Sequence, residues 1–259
     1  MFMFYLPFVY YYKTRLRYLH KLLSWMLIYL FPLFFSCYLS SNYSISILSF
    51  CLFIILVQSL YEVGYIQNDC ETIKKEDSPT LRLTSVEFQY YENNKFLIYS
   101  SRLVFSFILS VLLSYFVSSL VWAIWFILPI FYVYNNVRNR FNLILHFLLV
   151  FCRYCLPVLC LTGNYQVTLM MIFVFPLLNL IERMSEKKFK FQFISRFLAS
   201  KLTLFRALYY LFFLSLFYLI SINCRGDANI QNILYLICYY SVYRFSIYFF
   251  SVLFYKINR

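Results

Sequence analysis

Charged side chains are scarce in this sequence, and acidic ones are the scarcest. Only 13% of its 259 residues are Asp, Glu, Lys or Arg, whereas 63% are hydrophobic and the mean hydropathy is +0.71. A soluble domain of this size cannot bury so much apolar surface or solvate its exterior with so few charges. No segment is both long and polar enough to fold separately, so composition excludes a soluble domain and predicts one membrane domain over residues 1–259.

Metal-binding sequence pairs are also lacking. Cys152 and Cys155 form a CxxC without a second such pair, and His20 and His146 are the two histidines of the chain. A structural zinc site needs four ligands, usually supplied by two such pairs. Most of the eight cysteines lie inside predicted spans, where a free thiol behaves as a small apolar residue. Zinc binding is therefore not expected.

The N-terminal residues lack the order of a signal peptide. The apolar stretch Met1–Tyr12 precedes the first basic residues instead of following them, and no small-residue cleavage site comes after it. It is also too short to cross a bilayer. We therefore expect residues 1–21 to lie along the membrane interface.

Long apolar runs predict an all-α, polytopic transmembrane bundle of about eight spans. The expected spans cover residues 22–40, 44–66, 103–119, 120–135, 141–161, 165–182, 203–222 and 230–254. Residues 67–102 and 183–202 then form cytoplasmic polar loops. The stretch Leu103–Tyr134 would be ~48 Å long as one helix, well beyond the hydrocarbon thickness. Splitting it at Ser118-Ser119 keeps the basic clusters on one face, as the positive-inside rule requires.

The net charge of +13 is expected to report membrane topology, not nucleic-acid binding. No soluble module carries a basic stripe, and the eight-span arrangement puts every Lys and Arg except Arg153, Arg225 and Arg244 on the cytoplasmic side. Both termini are then cytoplasmic, and the basic face attracts anionic membrane lipids. The excess of Phe, Tyr, Ile and Asn is typical of AT-rich codons, so we expect a low-GC bacterium, with this chain in its inner membrane, or an organelle genome.

The ten acidic residues are unevenly distributed. All but three lie between Glu62 and Glu92, two of the others are Glu182 and Glu186, and Asp227 is the last. Each cluster begins at the predicted cytoplasmic end of a span. Carboxylates at a membrane boundary are costly unless they are paired, hydrated or bound to metal. The two clusters are therefore the first candidates for chemistry.

The first cluster has the spacing of a helical polar stripe. If the second span stays helical beyond the membrane, Asn68, Thr72 and Glu76 share one face with Asp69 beside them, until Pro79 ends the helix. Such a stripe of oxygen-bearing side chains suits a hard cation.

The second cluster repeats the pattern, with Glu182 and Glu186 on one face of a helix. Two such ladders meeting across the bundle predict a Mg²⁺ site whose ion bridges a diphosphate. An ordinary alternative is that these glutamates pair with Arg183 and Lys187 as surface ions. The candidate phosphate-binding cations are Lys74, Lys75, Arg82, Lys187 and Lys188.

The layout of these motifs resembles the UbiA superfamily of intramembrane prenyltransferases. That family carries Asn-Asp-x-x-Asp-x-x-x-Asp at the end of its second helix, before a segment with Pro and Arg, and Asp-x-x-x-Asp after its sixth helix. The matching positions here are Asn68, Asp69, Thr72 and Glu76, followed by Pro79 and Arg82, and then Glu182 and Glu186.

This resemblance implies a UbiA-like bundle that transfers a prenyl group from an isoprenoid diphosphate to a lipophilic or aromatic acceptor. It assigns catalysis to Asn68, Asp69, Thr72 and Glu76. It assigns Mg²⁺ coordination to Asp69, Glu76, Glu182 and Glu186. In such chemistry the metal neutralises the departing diphosphate, and aromatic faces stabilise the allylic cation.

Two other functions stay open at this point. The altered residues at the motif positions also suit a non-catalytic subunit or lipid-binding partner in envelope assembly. A small transporter would need polar residues through the membrane midplane, and these are few beyond Arg153, Arg244 and His146. Glu62, at the boundary, is expected to pair with Arg153 or Arg244.

Overall fold

The chain forms a bundle of membrane-spanning helices. A computed structural model describes residues 1–41, 44–75, 79–198, 201–224 and 226–257. Within these ranges every regular element is helical, and eight helices are long and apolar enough to cross a membrane, as predicted. The protein is therefore an all-α, multi-pass membrane protein. The spans are Leu19–Ser40, Ile47–Lys75, Ser85–Phe116, Ser119–Asn136, Phe141–Thr162, Tyr165–Met184, Leu202–Asn223 and Ala228–Leu253.

Several spans combine more than one helical segment. The α-helices are α1 Val9–Arg15, α2 Leu19–Trp25, α3 Phe31–Ser40, α4 Ile47–Cys70, α5 Ser85–Phe116, α6 Ile127–Asn136, α7 Phe141–Tyr154, α8 Leu156–Thr162, α9 Tyr165–Val174, α10 Pro176–Met184, α11 Gln192–Leu198, α12 Leu202–Asn223 and α13 Ala228–Ile257. Tighter 3₁₀ turns cover Phe2–Phe4, Thr72–Lys75, Ser119–Phe126 and Lys187–Phe189, and a π-helical turn, Met26–Leu30, joins α2 to α3.

The predicted division of the apolar stretch 103–134 is confirmed. Helix α5 ends at Phe116, and the Ser118 hydroxyl accepts a hydrogen bond from the Leu120 amide to start the 3₁₀ helix. This 3₁₀ helix rises ~16 Å and α6 adds ~15 Å, so 18 residues suffice for a ~30 Å core. Its buried side chains, Val121 and Ile124, are three residues apart, as three residues per turn require, and Ile127 at the start of α6 continues the spacing.

The prediction of a polar loop over residues 67–102 is wrong for most of its length. Helix α5 begins at Ser85, because Thr84 and Glu87 form a capping box. Tyr91, Ile98 and Arg102 are then fully buried on one face of α5. The charges of this stretch are therefore carried on a helix that enters the bundle. The other predicted polar loop, 183–202, contains the short helices Lys187–Phe189 and α11.

The fifth and sixth spans are broken where proline follows. Pro157 lies in the first turn of α8, and Pro176 begins α10. Proline has no amide donor, so the carbonyl of Arg153 loses the helical bond that residue 157 would otherwise supply. The two breaks meet in the bundle, where the Tyr154 and Phe175 rings stack with centroids 4.3 Å apart.

The N-terminal segment, residues 1–18, packs into the bundle and does not simply follow its surface as expected. Phe4 and Tyr10 are fully buried. The Arg102 guanidinium donates to the carbonyls of Met3, Phe4 and Leu6 at 2.7–3.0 Å. Arg102 itself is fully buried on α5, so the segment closes over a charged group of the core.

Glu62 also holds the N-terminal segment, and Arg102 and Glu62 together are called the clamp. Its carboxylate accepts from the amides of Phe8 at 3.0 Å and Tyr11 at 2.7 Å, and it forms an ion pair with Arg102. The expectation that Glu62 pairs with Arg153 or Arg244 is therefore wrong. The partner of Glu62 is Arg102 because α5 begins at Ser85 and carries Arg102 into the core.

Candidate functional site

Two adjoining cavities lie where α4, α6, α7 and α10 meet. The outer one, called the mouth, has a volume of about 410 Å³, and the inner one, called the chamber, has about 230 Å³. Asn68, Arg82 and Tyr134 belong to the walls of both. The mouth and chamber are therefore treated as one candidate site with an outer and an inner part.

Basic side chains dominate the walls of the mouth. Arg82, Arg138, Arg183 and Lys188 all line it, and none of its described lining residues is acidic. Cations gathered around a cavity attract an anion, and guanidinium groups match the geometry of phosphate oxygens. The lining of the mouth therefore suits an anion.

The chamber is aromatic and also basic. Tyr61, Tyr65 and Phe131 contribute rings to its wall, together with the guanidinium groups of Arg15 and Arg153. Again, no carboxylate occurs among its described lining residues. His146 reaches the same wall, where its Nε2 lies 2.7 Å from Asn179 Oδ1 in a hydrogen bond within the bundle.

Asp69 lies behind the site, where basic and polar groups surround its carboxylate. Arg15 donates to both oxygens at 2.8 and 3.0 Å, and Arg82 donates to Oδ1 at 2.8 Å. The Tyr10 hydroxyl donates to Oδ2 at 3.0 Å, and the Asn68 amide donates to Oδ1 at 3.2 Å. The Asp69 side chain is fully buried, so these donors take up its acceptor capacity.

The pKa values of Tyr10 and Arg15, the two partners of Asp69 in the N-terminal segment, reflect these contacts. Burial and the Asp69 charge raise the pKa of Tyr10 well above its ordinary value. Burial by itself would lower the pKa of Arg15, but its hydrogen bonds to Asp69 and the aspartate charge outweigh that effect and raise it. Both groups are therefore held in their protonated forms.

Glu186 similarly holds two cations of the mouth. It accepts from Arg183 Nη1 at 2.8 Å and pairs with Lys188 Nζ at 3.0 Å. Arg183 also donates from Nη2 to the Tyr134 hydroxyl at 2.6 Å, while its buried Nε has no hydrogen-bond partner. The Arg183 guanidinium is therefore held at the wall of the mouth by Glu186 and Tyr134.

Glu182 faces a different helix. Its two carboxylate oxygens accept from Nε and Nη2 of Arg206 on α12, each at 2.7 Å. This bidentate pair lies away from the described walls of the mouth and chamber. The structure therefore does not bring Glu182 together with Asp69.

Arg153 is an unusual inner cation, because it has no carboxylate partner among the described residues. Its guanidinium lies over the rings of Tyr11, Tyr29 and Tyr61, at 5.2, 4.7 and 5.1 Å from their centroids. Tyr65 accepts a hydrogen bond from Nη1 at 3.2 Å, whereas the buried Nη2 has no partner. Cation–π contacts and the C-terminal end of α7 stabilise this charge, and one donor remains unused.

The other predicted site residues are dispersed. Thr72 and Lys75 line a separate groove between α4, α5 and α6, and Lys74 pairs with Glu92 at 2.6 Å. The predicted stripe over residues 68–76 is not one continuous α-helical face, because α4 ends at Cys70 and a 3₁₀ turn follows. Glu76 and the side chain of Lys187 lie outside the described part of the chain.

The described carboxylates do not fit a Mg²⁺ site. Magnesium requires several oxygen ligands in near-octahedral geometry. Asp69 is bonded to two arginines, Glu182 to Arg206, and Glu186 to Arg183 and Lys188. In the part of the chain that the structure describes, no three His, Cys, Asp or Glu side chains are grouped to hold a metal.

Sequence reasoning missed several residues of the site, namely Arg15, Arg138, Arg153 and Arg183. Arg15 belongs to the segment that was expected to lie on the interface, and the two spans that carry Arg153 and Arg183 each contain a proline break. One signal was available. Intramembrane charges are costly and usually mark a pathway or site, and Arg153 falls well inside a predicted span.

Comparisons with known proteins do not extend this description. No family model, no curated protein and no solved structure matches the chain.

Proposed function

We propose that the chain binds an isoprenoid diphosphate in the mouth and chamber and acts as a UbiA-like intramembrane prenyltransferase. The observation that carries this proposal is the cavity itself, which is lined by basic side chains at the ends of apolar spans. A ligand with an anionic head and a greasy tail satisfies both surroundings, because the tail can stay within the hydrocarbon layer.

Recognition of the head is assigned to the mouth. Arg82, Arg183 and Lys188 provide N–H donors there, and Arg183 retains a buried donor without a partner. Charge-assisted bonds from such groups are the strongest that proteins make to phosphate. Two of these three cations, Arg82 and Lys188, agree with the sequence-based prediction of phosphate-binding residues.

The transfer step follows from this placement. The allylic C–O bond breaks, and its electron pair leaves with the diphosphate, whose growing charge is stabilised by the cations of the mouth. A nucleophilic atom of the acceptor then bonds to the allylic carbon and loses its proton to water. Phe131 offers a ring face in the chamber, whereas the rings of Tyr61 and Tyr134 already lie beneath the guanidinium groups of Arg153 and Arg183.

A non-catalytic lipid-binding protein is the second candidate. It is favoured by the same contact between Arg153 and the tyrosine rings, because a fixed cation in the chamber repels a carbocation. In that case the cavity would hold a phosphorylated lipid without breaking it.

Binding is the first test of both candidates. Protein in lipid nanodiscs is titrated with geranylgeranyl diphosphate, and geranylgeraniol and inorganic diphosphate serve as ligands that lack one part. We expect Arg183→Gln to weaken binding about ten-fold or more. The matched control is Arg196→Gln, a similar loss of charge at an exposed residue that lines neither cavity. Absence of measurable binding by the unaltered protein would refute both candidates.

Turnover separates the two. The same protein is incubated with radiolabelled prenyl diphosphate and a lipid extract that supplies acceptors. A labelled lipophilic product that disappears in Arg183→Gln supports the transferase. Tight binding with intact diphosphate after prolonged incubation supports the lipid-binding protein instead.

A further inference from the structure

Every described carboxylate that the motifs assign to a metal is instead bonded to a cation, and most of those cations line the cavity. We propose that the site binds its diphosphate without a divalent metal ion, and that Asp69 and Glu186 serve to position the arginines and lysine that replace it. This inference rests on the proposed function and specifies how the anion is recognised.

Asp69 provides the clearest case. Its buried carboxylate fixes the guanidinium groups of Arg15 and Arg82, and both of these groups also line the cavity. The bidentate contact with Arg15 sets the plane of that guanidinium, and Tyr10 fixes the aspartate from a third direction. Asp69 therefore acts as a positioning residue whose charge faces protein donors and not the ligand space.

Glu186 plays the same part on the opposite wall. It holds Arg183 and Lys188, which both line the mouth. One carboxylate of each acidic motif, Asp69 and Glu186, thus lies beside the cavity through its basic partners, whereas Glu182 pairs with Arg206 away from it. Each motif contributes a carboxylate and the pair of cations that it orients.

Electrostatics opposes a divalent cation in this cavity. For Asp69 to bind Mg²⁺, its two arginines would have to withdraw, and the ion would then lie among like charges. Arg153 adds a further cation that no described carboxylate neutralises. An anion entering the same space is attracted by these cations.

The inference also gives the N-terminal segment a role in the site. Arg15 reaches the chamber from α1. This helix is fixed to α4 because its Tyr11 amide donates to Glu62 and its Tyr10 hydroxyl donates to Asp69. If metal ligands from the second and sixth spans bound the diphosphate, the N-terminal segment would take no part in binding. Metal-free binding therefore predicts that a change at Arg15 weakens the affinity for diphosphate.

Metal dependence is the direct test. Nanodisc protein is titrated with geranylgeranyl diphosphate, once in excess EDTA and once in Mg²⁺. We expect the two dissociation constants to agree within about three-fold, whereas Arg15→Gln weakens binding about ten-fold in both conditions. The matched control is Arg17→Gln, the same change at an exposed position two residues along the chain.

The role of Asp69 is tested by a double-mutant cycle. If Asp69 acts through Arg15, the effects of Asp69→Asn and Arg15→Gln on affinity are less than additive. Additive effects, together with a Mg²⁺-dependent gain in affinity that the unaltered protein shows and Asp69→Asn lacks, would identify Asp69 as a metal ligand instead. Should Asp69→Asn fail to fold, Glu186→Gln serves in its place in a cycle with Arg183→Gln, because Glu186 is 39% exposed and less critical for packing.

The titrations in EDTA and in Mg²⁺ distinguish failure of the metal-free inference from failure of the proposed function. Binding in EDTA supports both proposals. Binding that needs Mg²⁺ overturns the metal-free inference and leaves the proposed function standing. No binding in either condition overturns the proposed function, and the inference falls with it.

Discussion

Glu62 and Asp69 lie on the same helix, α4, about two turns apart, yet they serve different ends. Both carboxylates are fully buried, both pair with arginine and both hold the N-terminal segment. Arg102, the partner of Glu62, is fully buried and turns to backbone carbonyls. The partners of Asp69 remain 18% and 32% exposed and reach a cavity.

The difference teaches how to separate a structural ion pair from a binding site. A pair whose donors are all used within the protein contributes to the fold and leaves nothing for a ligand. A pair whose cation still lines open space keeps donors for an anion. Burial of the carboxylate does not distinguish the two, whereas the position of its partner does.

We call Glu62 with Arg102 the closed pair, and Asp69 with Arg15 the open pair. Removing the cation of the closed pair should have the largest effect on stability. Arg102→Gln leaves Glu62 buried without its counter-charge, and we expect the free energy of unfolding to fall by about 3–5 kcal/mol. Arg15→Gln should cost less, about 1–3 kcal/mol, because Asp69 keeps Arg82 and Tyr10. Unfolding midpoints in detergent, compared with those of Arg17→Gln, measure both changes.

Limited trypsin digestion provides a second measure of the same contrast. Arg102→Gln should release the N-terminal segment and speed cleavage at Lys13, Arg15 and Arg17, since its clamp is lost. If Arg102→Gln melts and is cleaved like the unaltered protein while Arg15→Gln is strongly destabilised, the division between closed and open pair is wrong.

Much of the architecture followed from the sequence, because the hydrocarbon core imposes length and apolarity on each span. The eight spans and the turn at Ser118-Ser119 were predicted in this way. The start of α5 was not, since its first turns carry polar residues and the capping box of Thr84 and Glu87 was overlooked. Local capping chemistry, not hydropathy, decides that boundary.

The candidate site was predicted only in part. Asn68, Arg82 and Lys188 line the cavity, and Asp69 lies directly behind it. Arg15 could not be foreseen as a partner of Asp69, because it is distant in sequence and is held by folding of the N-terminal segment, whereas the neighbouring pair of Arg183 and Glu186 was predictable from spacing alone. Spacing along a helix shows which side chains share a face, but not which opposite charges fold against them.

Gly64 lies between the two carboxylates and tests how tightly α4 packs beside the chamber. A Cβ added there would come within 2.3 Å of the Phe131 ring, so Gly64→Ala must displace that ring from the chamber wall. We expect a loss of about 1–3 kcal/mol from overpacking. Phe131→Leu should restore part of the loss in the double variant, and unfolding midpoints of the three variants measure it.

The direction in which the Phe131 ring moves in Gly64→Ala distinguishes an effect on the chamber from an effect on the clamp. A shift into the chamber would weaken diphosphate binding, whereas the clamp of Glu62 should stay intact, with no change in trypsin cleavage. If Gly64→Ala instead frees the N-terminal segment, the closed and open pairs are coupled through α4 and cannot be treated separately.

The smallest expected effect concerns the Tyr10 hydroxyl, one of several donors to Asp69. Tyr10→Phe should cost about 0.5–1.5 kcal/mol, with Tyr12→Phe as the exposed neighbouring control. Burial and the Asp69 charge raise the pKa of Tyr10, so folding keeps its phenol protonated. Its contribution is present in full below the unfolded pKa of about 10 and is lost as the pH rises through the raised value. The difference in unfolding midpoint between the unaltered protein and Tyr10→Phe should therefore shrink with rising alkaline pH, and a difference that stays constant would show that folding does not raise the pKa of Tyr10.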